Sequence, residues 1–301
     1  SYRRHVLQFL NLQRTVRVAV DASNGAAAKV IPAVLGQIPQ LEIIELNFDT
    51  DKGFSHCPDP LSNSAKQKLA ETCAAEKVDL GACFSGDGSR VLFLDETGKA
   101  IRPDLAGVLM ARSLIGAAGA SNPIVVHDAR CSRVLDEEMA AAGGKPVRDR
   151  VGRPYMKRAL SDNEAIFGCE FTGQYYFRSN FNCESGVIAL AHMLSIISAG
   201  ATPLSEMVKP LQRYAHSGQI AFPADDSKAR MRDIADKFRR GKIDYIDGIT
   251  ADMGDWWFNL RNSNTEPVMR LCLECTNPAT LEDRLVELQT LLGNPIGPDR
   301  A

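Results

Sequence analysis

Asp79-Leu80-Gly81-Ala82-Cys83-Phe84-Ser85-Gly86-Asp87-Gly88-Ser89-Arg90-Val91-Leu92-Phe93-Leu94 sets two short apolar runs on either side of a glycine-rich polar turn. Apolar runs of this length bounded by Gly, Ser and Asp read as strands, and Asp95-Glu96-Thr97-Gly98 closes a hairpin behind them. Ahead of them, Ala65 to Lys77 carries helical spacing. Further out, Arg17 to Asp21 is a β-branched run ending in the turn Ser23-Asn24-Gly25. An alanine-rich helix, a second strand at Leu41 to Phe48 and a proline-studded loop from Gly53 to Pro60 follow. Strand and helix therefore alternate, which is the pattern of an α/β layer structure.

The alternation resumes with strands at Ile124 to His127, around Val147 and at Ile166 to Glu170, with helices at Ser132 to Ala142 and near Tyr155 to Leu160. Helices at Gly186 to Ala199 and Leu204 to His216 are expected to complete this second unit. The order then changes to a helix (Lys228 to Arg239), three strands (Tyr245 to Met253, Trp256 to Leu260, Val268 to Cys275) and a helix (Leu281 to Leu292). That is a small α+β unit on an antiparallel sheet.

The 301 residues are 45% hydrophobic and carry 35 Lys+Arg against 37 Asp+Glu, a net charge of −2. Such a chain can bury cores, so disorder is excluded, and the absence of a basic stripe argues against nucleic acid. Val187 to Ala201 is too short to span a membrane and is broken by His192, Ser195 and Ser198. With no signal-like N-terminus and eight scattered cysteines, a reducing cytoplasmic location is expected. Cys272 and Cys275 form a C-x-x-C without a second pair, and their odd spacing in a strand points the thiols to opposite faces.

Arg261-Asn262-Ser263-Asn264-Thr265-Glu266-Pro267, between two expected strands, has the composition of an anion cradle. A guanidinium fork, two hydroxyls, side-chain amides and turn N–H groups can all donate to one phosphate. The alternative is a polar turn with an Asn-rich tip. The loop resembles the phosphate-binding R-x-S-N-T-E-P segment of the α-D-phosphohexomutases, the phosphomannomutase and phosphoglucomutase family. Other segments are similar to that family's in the same order: the Gly53 to Pro60 loop, the metal loop at Gly81 to Arg90, Asp128 to Arg133, and the sugar-recognition loop at Gly168 to Gln174. The resemblance covers nearly the whole chain. It implies two α/β/α sandwich domains with mixed sheets, at 1–118 and 119–223, followed by a small α+β (TBP-like) domain at 224–301, corresponding to the family's second to fourth.

The departures from the family pattern shape the functional expectation. Family members transfer a phosphoryl group through a phosphoserine in a first domain, and no segment here matches it; Ser55-His56-Cys57-Pro58 mimics that loop but belongs to the second domain. The family's D-G-D-x-D-R supplies three carboxylates to Mg²⁺, whereas this chain has Ser85, Asp87, Ser89 and Arg90. A lone Asp87 should hold Mg²⁺ weakly or not at all, so no cofactor is expected for this chain, and a plain turn is the competing reading of the loop. Glu170 and Thr172 match the residues that hydrogen-bond sugar hydroxyls, while Gln174 replaces the usual His and cannot act as a base. Arg153 stands where a His is common and Arg130 where some members have Lys. With Arg90 they are expected to contact an anion.

The resemblance and these losses together imply a sugar-phosphate-binding chain in which Arg261, Ser263, Asn264 and Thr265 hold phosphate, without independent mutase turnover. One alternative is a fragment of an active phosphohexomutase whose serine-loop domain lies upstream or on another polypeptide; another is a regulatory or scaffolding protein. His5, His127, His192 and His216 show no ligand spacing and read as surface or satisfied core residues. Trp256-Trp257 reads as strand packing, and the basic runs near Arg230 and Lys237 as a solvated helix face.

Overall fold

The computed structural model describes residues 1–119 and 121–297. A short helix α1 (Tyr2–Leu7) leads into β1 (Val16–Asp21), α2 (Ala27–Leu35), β2 (Leu41–Leu46), α3 (Asn63–Glu76), β3 (Leu80–Phe84) and β4 (Val91–Leu94). Their sheet has the order β2-β1-β3-β4, in which β1 is parallel to β2 and β3 while β4 runs antiparallel to β3. Strands β3 and β4 are buried throughout, which is why both read as unbroken apolar runs. Helix α3 starts where the Ser62 hydroxyl accepts from the Ala65 N–H at 3.3 Å and stops at Lys77, whose φ of 52° is left-handed.

Helix α4 (Pro103–Ala117) has no counterpart among the sequence expectations. Proline in its first turn starts it without losing a needed donor, and it is apolar nearly all round because it is buried between units. There follow β5 (Ile124–Asp128), α5 (Arg133–Ala141), β6 (Lys145–Asp149), α6 (Arg153–Asp162), β7 (Phe167–Cys169), β8 (Tyr175–Phe177), β9 (Cys183–Glu184) and α7 (Gly186–Ser198). This sheet, β6-β5-β7-β8-β9, repeats the order and the parallel-to-antiparallel switch of the first. The repeat extends to detail. Asp21 and Asp128 end the central strands β1 and β5, both fully buried, and each accepts the backbone N–H two residues on, from Ser23 at 2.8 Å and Arg130 at 2.7 Å. One continuous apolar core joins the two units, with α7 packed on α4, β1 and β4.

The expected helix from Leu204 to His216 is instead α8 (Leu204–Val208), a 3₁₀ turn through Pro210, and then the strand β10 (Ala215–Pro223). Pro210 supplies no N–H to prolong a helix. The residues Ala215-His216-Ser217-Gly218 lack apolar alternation, so their strand state comes from pairing with a distant segment. The rest of the chain is α9 (Ser227–Lys237), β11 (Lys242–Asp244), β12 (Ile249–Asp252), β13 (Trp256–Asn262), β14 (Val268–Cys275) and α10 (Pro278–Leu292). It forms the antiparallel sheet β10-β14-β13-β12-β11 over a core centred on Phe222, Phe238, Trp256 and Phe258. The strand expected from Tyr245 to Met253 is shortened to β12, since residues 245–248 form the connection from β11; it turns at Gly248, where φ is 67° and a Cβ would lie 2.2 Å from the Leu260 carbonyl oxygen. Two α/β units with mixed sheets are thus followed by an antiparallel α+β unit. Among the described residues no helix is long and apolar enough to cross a membrane, and all eight cysteines are free thiols.

Candidate functional site

A cleft of about 840 Å³ lies where the β13–β14, β7–β8 and β3–β4 hairpins converge with the start of α6. The first hairpin brings Arg261, Ser263, Asn264 and Thr265 to it, the second Glu170, Thr172 and Gln174, and the third Arg90. Arg130, from the turn after β5, and Arg153, the first residue of α6, also line it; Asp87 does not. Five arginines (with Arg270) face three carboxylates, Asp59, Glu170 and Glu266, so the cleft favours an anion.

The β13–β14 turn is tight. Ser263 N–H donates to the Val268 carbonyl at 2.8 Å, and the Ser263 hydroxyl accepts from the N–H groups of Thr265 at 3.4 Å and Glu266 at 3.3 Å. Asn264 Nδ2 donates to the Val151 carbonyl at 3.4 Å, tying the tip to the segment before α6. Arg261 is only 5% exposed. Its Nη1 donates to the Asn262 carbonyl at 3.1 Å, its Nε stays 3.8 Å from Asp247 Oδ2, and that Nε has no hydrogen-bond partner. Burial and the neighbouring Arg130 guanidinium push its pKa down. An incompletely satisfied buried cation gains from an arriving phosphate.

Glu170 is buried, with Oε1 accepting from the Tyr176 hydroxyl at 2.5 Å and Oε2 from the Gly152 N–H at 3.1 Å. Burial and the Asp128 carboxylate raise its pKa, against the pull of Arg130 at 3.6 Å. Its orientation is therefore fixed by two elements, and its remaining lone pairs can accept a sugar hydroxyl. Thr172 donates to Gln174 Oε1 at 2.7 Å and receives Arg130 Nη2 at 3.4 Å. Arg130 is pinned by Asp128 at 2.6 Å and by Gln219 Oε1 at 3.0 Å. Gln219 was invisible in the sequence because nothing there marked its segment as a strand.

Arg90 and Arg153, expected as anion contacts, are each already paired. Arg90 Nη1 lies 3.1 Å from Asp59 Oδ1, and Arg153 reaches Asp87 and Glu184 at 3.1 and 2.8 Å. Burial opposes ionisation of Asp87, but hydrogen bonds from Ser85, Ser89 and Arg153 outweigh it and hold the carboxyl well below the usual range. His56 was given no role of its own in the sequence; its Nε2 sits 3.1 Å from the buried Asp21 carboxylate, and its Nδ1 lies 2.8 Å from the Cys57 carbonyl. Its only sequence signal was its place in the Gly53 to Pro60 loop. Ser55 is bound through its backbone N–H to Asn24 Oδ1 at 2.9 Å. His127 is buried against Asp136 at 2.9 Å, whereas His192 Nε2 is buried without a partner.

The model described as "Phosphoglucomutase/phosphomannomutase, alpha/beta/alpha domain II" matches residues 1–98, and that described as domain III matches residues 102–214. A phosphomannomutase of Methanocaldococcus jannaschii is 30% identical over 92% of this chain and 61% of its own length. A probable phosphoglucosamine mutase of Methanopyrus kandleri is 32% identical over 91% of this chain and 60% of its own length. The X-ray structure of a phosphoglucomutase/phosphomannomutase family protein from Burkholderia thailandensis superposes with a TM-score of 0.81, at 24% identity, over 98% of this chain and 65% of that one. The chain thus spans about 60% of the length of these curated relatives. On these matches and the shared fold, the chain belongs to the phosphoglucomutase/phosphomannomutase family, the α-D-phosphohexomutases.

Proposed function

We propose that this chain binds a hexose phosphate in the cleft, with Arg261, Ser263, Asn264 and Thr265 on the phosphate and Glu170 and Thr172 on the sugar hydroxyls. In this reading the two α/β units and the antiparallel α+β unit act together, and these residues alone do not interconvert hexose 1- and 6-phosphates. The observation that carries it is the meeting of a buried, incompletely paired Arg261 with a pre-oriented Glu170 in one positively lined cleft. The absence of turnover follows from chemistry. Gln174 cannot shuttle a proton at neutral pH, and the carboxylate of Asp87 is engaged by Arg153. Calorimetric titration with glucose 1-phosphate, mannose 1-phosphate and glucosamine 6-phosphate should show binding that the free sugars do not. A coupled assay with each 1-phosphate and its bisphosphate should stay at background. Equal affinity for phosphorylated and free sugars would overturn the binding reading, and turnover lost in Arg261→Ala would overturn the inactive one.

The chain's coverage of only about 60% of its relatives favours a second reading, that of a part of a working mutase with its serine loop elsewhere in the polypeptide. Mass spectrometry of the native polypeptide, against the 32.8 kDa of these residues, separates the two.

A further inference from the structure

The β3–β4 hairpin holds an arrangement that the phosphate and sugar groups do not explain. Asp87 Oδ1 accepts from the Ser85 hydroxyl at 2.6 Å, the Ser89 N–H at 3.0 Å and the Ser89 hydroxyl at 2.8 Å. Its Oδ2 accepts from Arg153 Nη2 at 3.1 Å, and the same Nη2 donates to the Ser89 hydroxyl at 2.6 Å. Arg153 Nε lies 2.8 Å from Glu184 Oε1 on β9. The guanidinium is therefore clasped by two carboxylates from separate elements with a hydroxyl beside it. Arginine suits this position because its planar fork serves both carboxylates at once, which a lysine ammonium does less well.

A hard divalent cation needs several oxygens with lone pairs turned inward. In this hairpin the Ser85 and Ser89 hydroxyls spend their protons on Asp87, and the carboxylate's other oxygen faces a fixed positive charge. Among the described residues no cluster of three or more His, Cys, Asp or Glu side chains is disposed to hold a metal. The residues present do not fit Mg²⁺.

We propose that the Arg153 guanidinium takes the place a divalent cation would need in the 85–90 hairpin, acting as a built-in cation that closes this loop to metal. It neutralises Asp87 and Glu184 and ties the β3–β4 hairpin to the start of α6. Two elements of the cleft wall are thereby held together without any metal. Arg153 and not the lost carboxylates alone keeps the site shut: removing the guanidinium leaves Asp87 and Glu184 facing the vacated volume, and one added carboxylate then completes a cation site.

Mn²⁺ tests this in the full chain, because binding removes the sharp EPR spectrum of the aqueous ion. Wild type and Ser89→Asp should leave that spectrum unchanged at sub-millimolar Mn²⁺. Ser89→Asp combined with Arg153→Gln should bind one Mn²⁺ per chain at least about tenfold more tightly than Ser89→Asp alone, and lose it on Asp87→Ala. Far-UV circular dichroism checks folding, with Arg153→Met as the replacement should the Gln variant not fold. Wild-type Mn²⁺ binding abolished by Asp87→Ala, equal affinity in Ser89→Asp with and without Arg153, or no binding by a folded double variant would each overturn the proposal.

Discussion

His192 on α7 should make this protein lose stability in mild acid, and a single substitution should cancel that loss. Its ring stacks on Phe177 (5.2 Å, 11°) and lies 5.4 Å from Phe9, while Nε2 is buried with no partner. Burial lowers its pKa from 6.5 to about 4. A histidine with a depressed folded-state pKa contributes stability that is present above 6.5 and lost as the pH falls toward 4, since the unfolded chain takes up the proton first. Over the full window of about 2.5 pH units this amounts to roughly 3.4 kcal/mol; between pH 7.5 and pH 5 it is about 2 kcal/mol. His192→Phe keeps an aromatic ring in the stack and removes the titration. Urea unfolding at the two pH values should show the variant losing about 2 kcal/mol less than wild type, a midpoint difference of roughly 0.7 M for a slope near 3 kcal/mol/M. His216, lowered to about 3 by burial and by Arg102, adds its own acid sensitivity to both proteins and cancels in the comparison. Any constant strain from the larger ring cancels as well. Identical pH dependence in wild type and His192→Phe would refute the reasoning.

Arg261→Met should weaken sugar-phosphate binding by about 1.5–3 kcal/mol, roughly 10- to 150-fold in Kd by calorimetry, because a buried charged donor is lost; a change below about threefold would place the phosphate elsewhere. Gly152, at φ 124° and ψ 144°, hands its N–H to Glu170. Gly152→Ala should cost about 1–3 kcal/mol in urea unfolding and also reduce affinity for the sugar, and a variant as stable as wild type would show that this backbone is not strained.

The α/β alternation was legible because buried central strands such as Leu80–Phe84 and Val91–Leu94 need unbroken apolar runs, and local pattern suffices to show them. The β13–β14 tip was legible for another reason, since Arg261, Ser263, Asn264 and Thr265 are neighbours in the chain. What escaped was set by tertiary pairing. Strand β10 exists because it lies against β14, and Gln219 reaches Arg130 only through that pairing. The Tyr176 hydroxyl and the Gly152 N–H orient Glu170 through its two different oxygens. Arg153 could be placed near the cleft from its position in the chain, but its clasp on Asp87 and Glu184 joins residues 66 and 31 positions away, and no local pattern reports such a contact.

The repeated strand order has an evolutionary reading. In the first unit the β3–β4 hairpin occupies the topological position that the β7–β8 hairpin holds in the second, and the two touch where the Val91 N–H donates to the Gly173 carbonyl at 3.0 Å. One frame, used twice, thus presents two tips side by side, one carrying the Ser85–Asp87–Ser89 cluster and the other the buried Glu170 carboxylate. Tip residues outside the core, such as Asp87, Ser89, Thr172 and Gln174, can exchange one chemistry for another at little cost to folding, whereas Ser85, Glu170 and Phe171 are buried. The freedom stops at the hinge of the tip. A Cβ on Gly25 would lie 2.2 Å from the Gly86 carbonyl oxygen, so selection can rewrite what the hairpin carries but not where it stands.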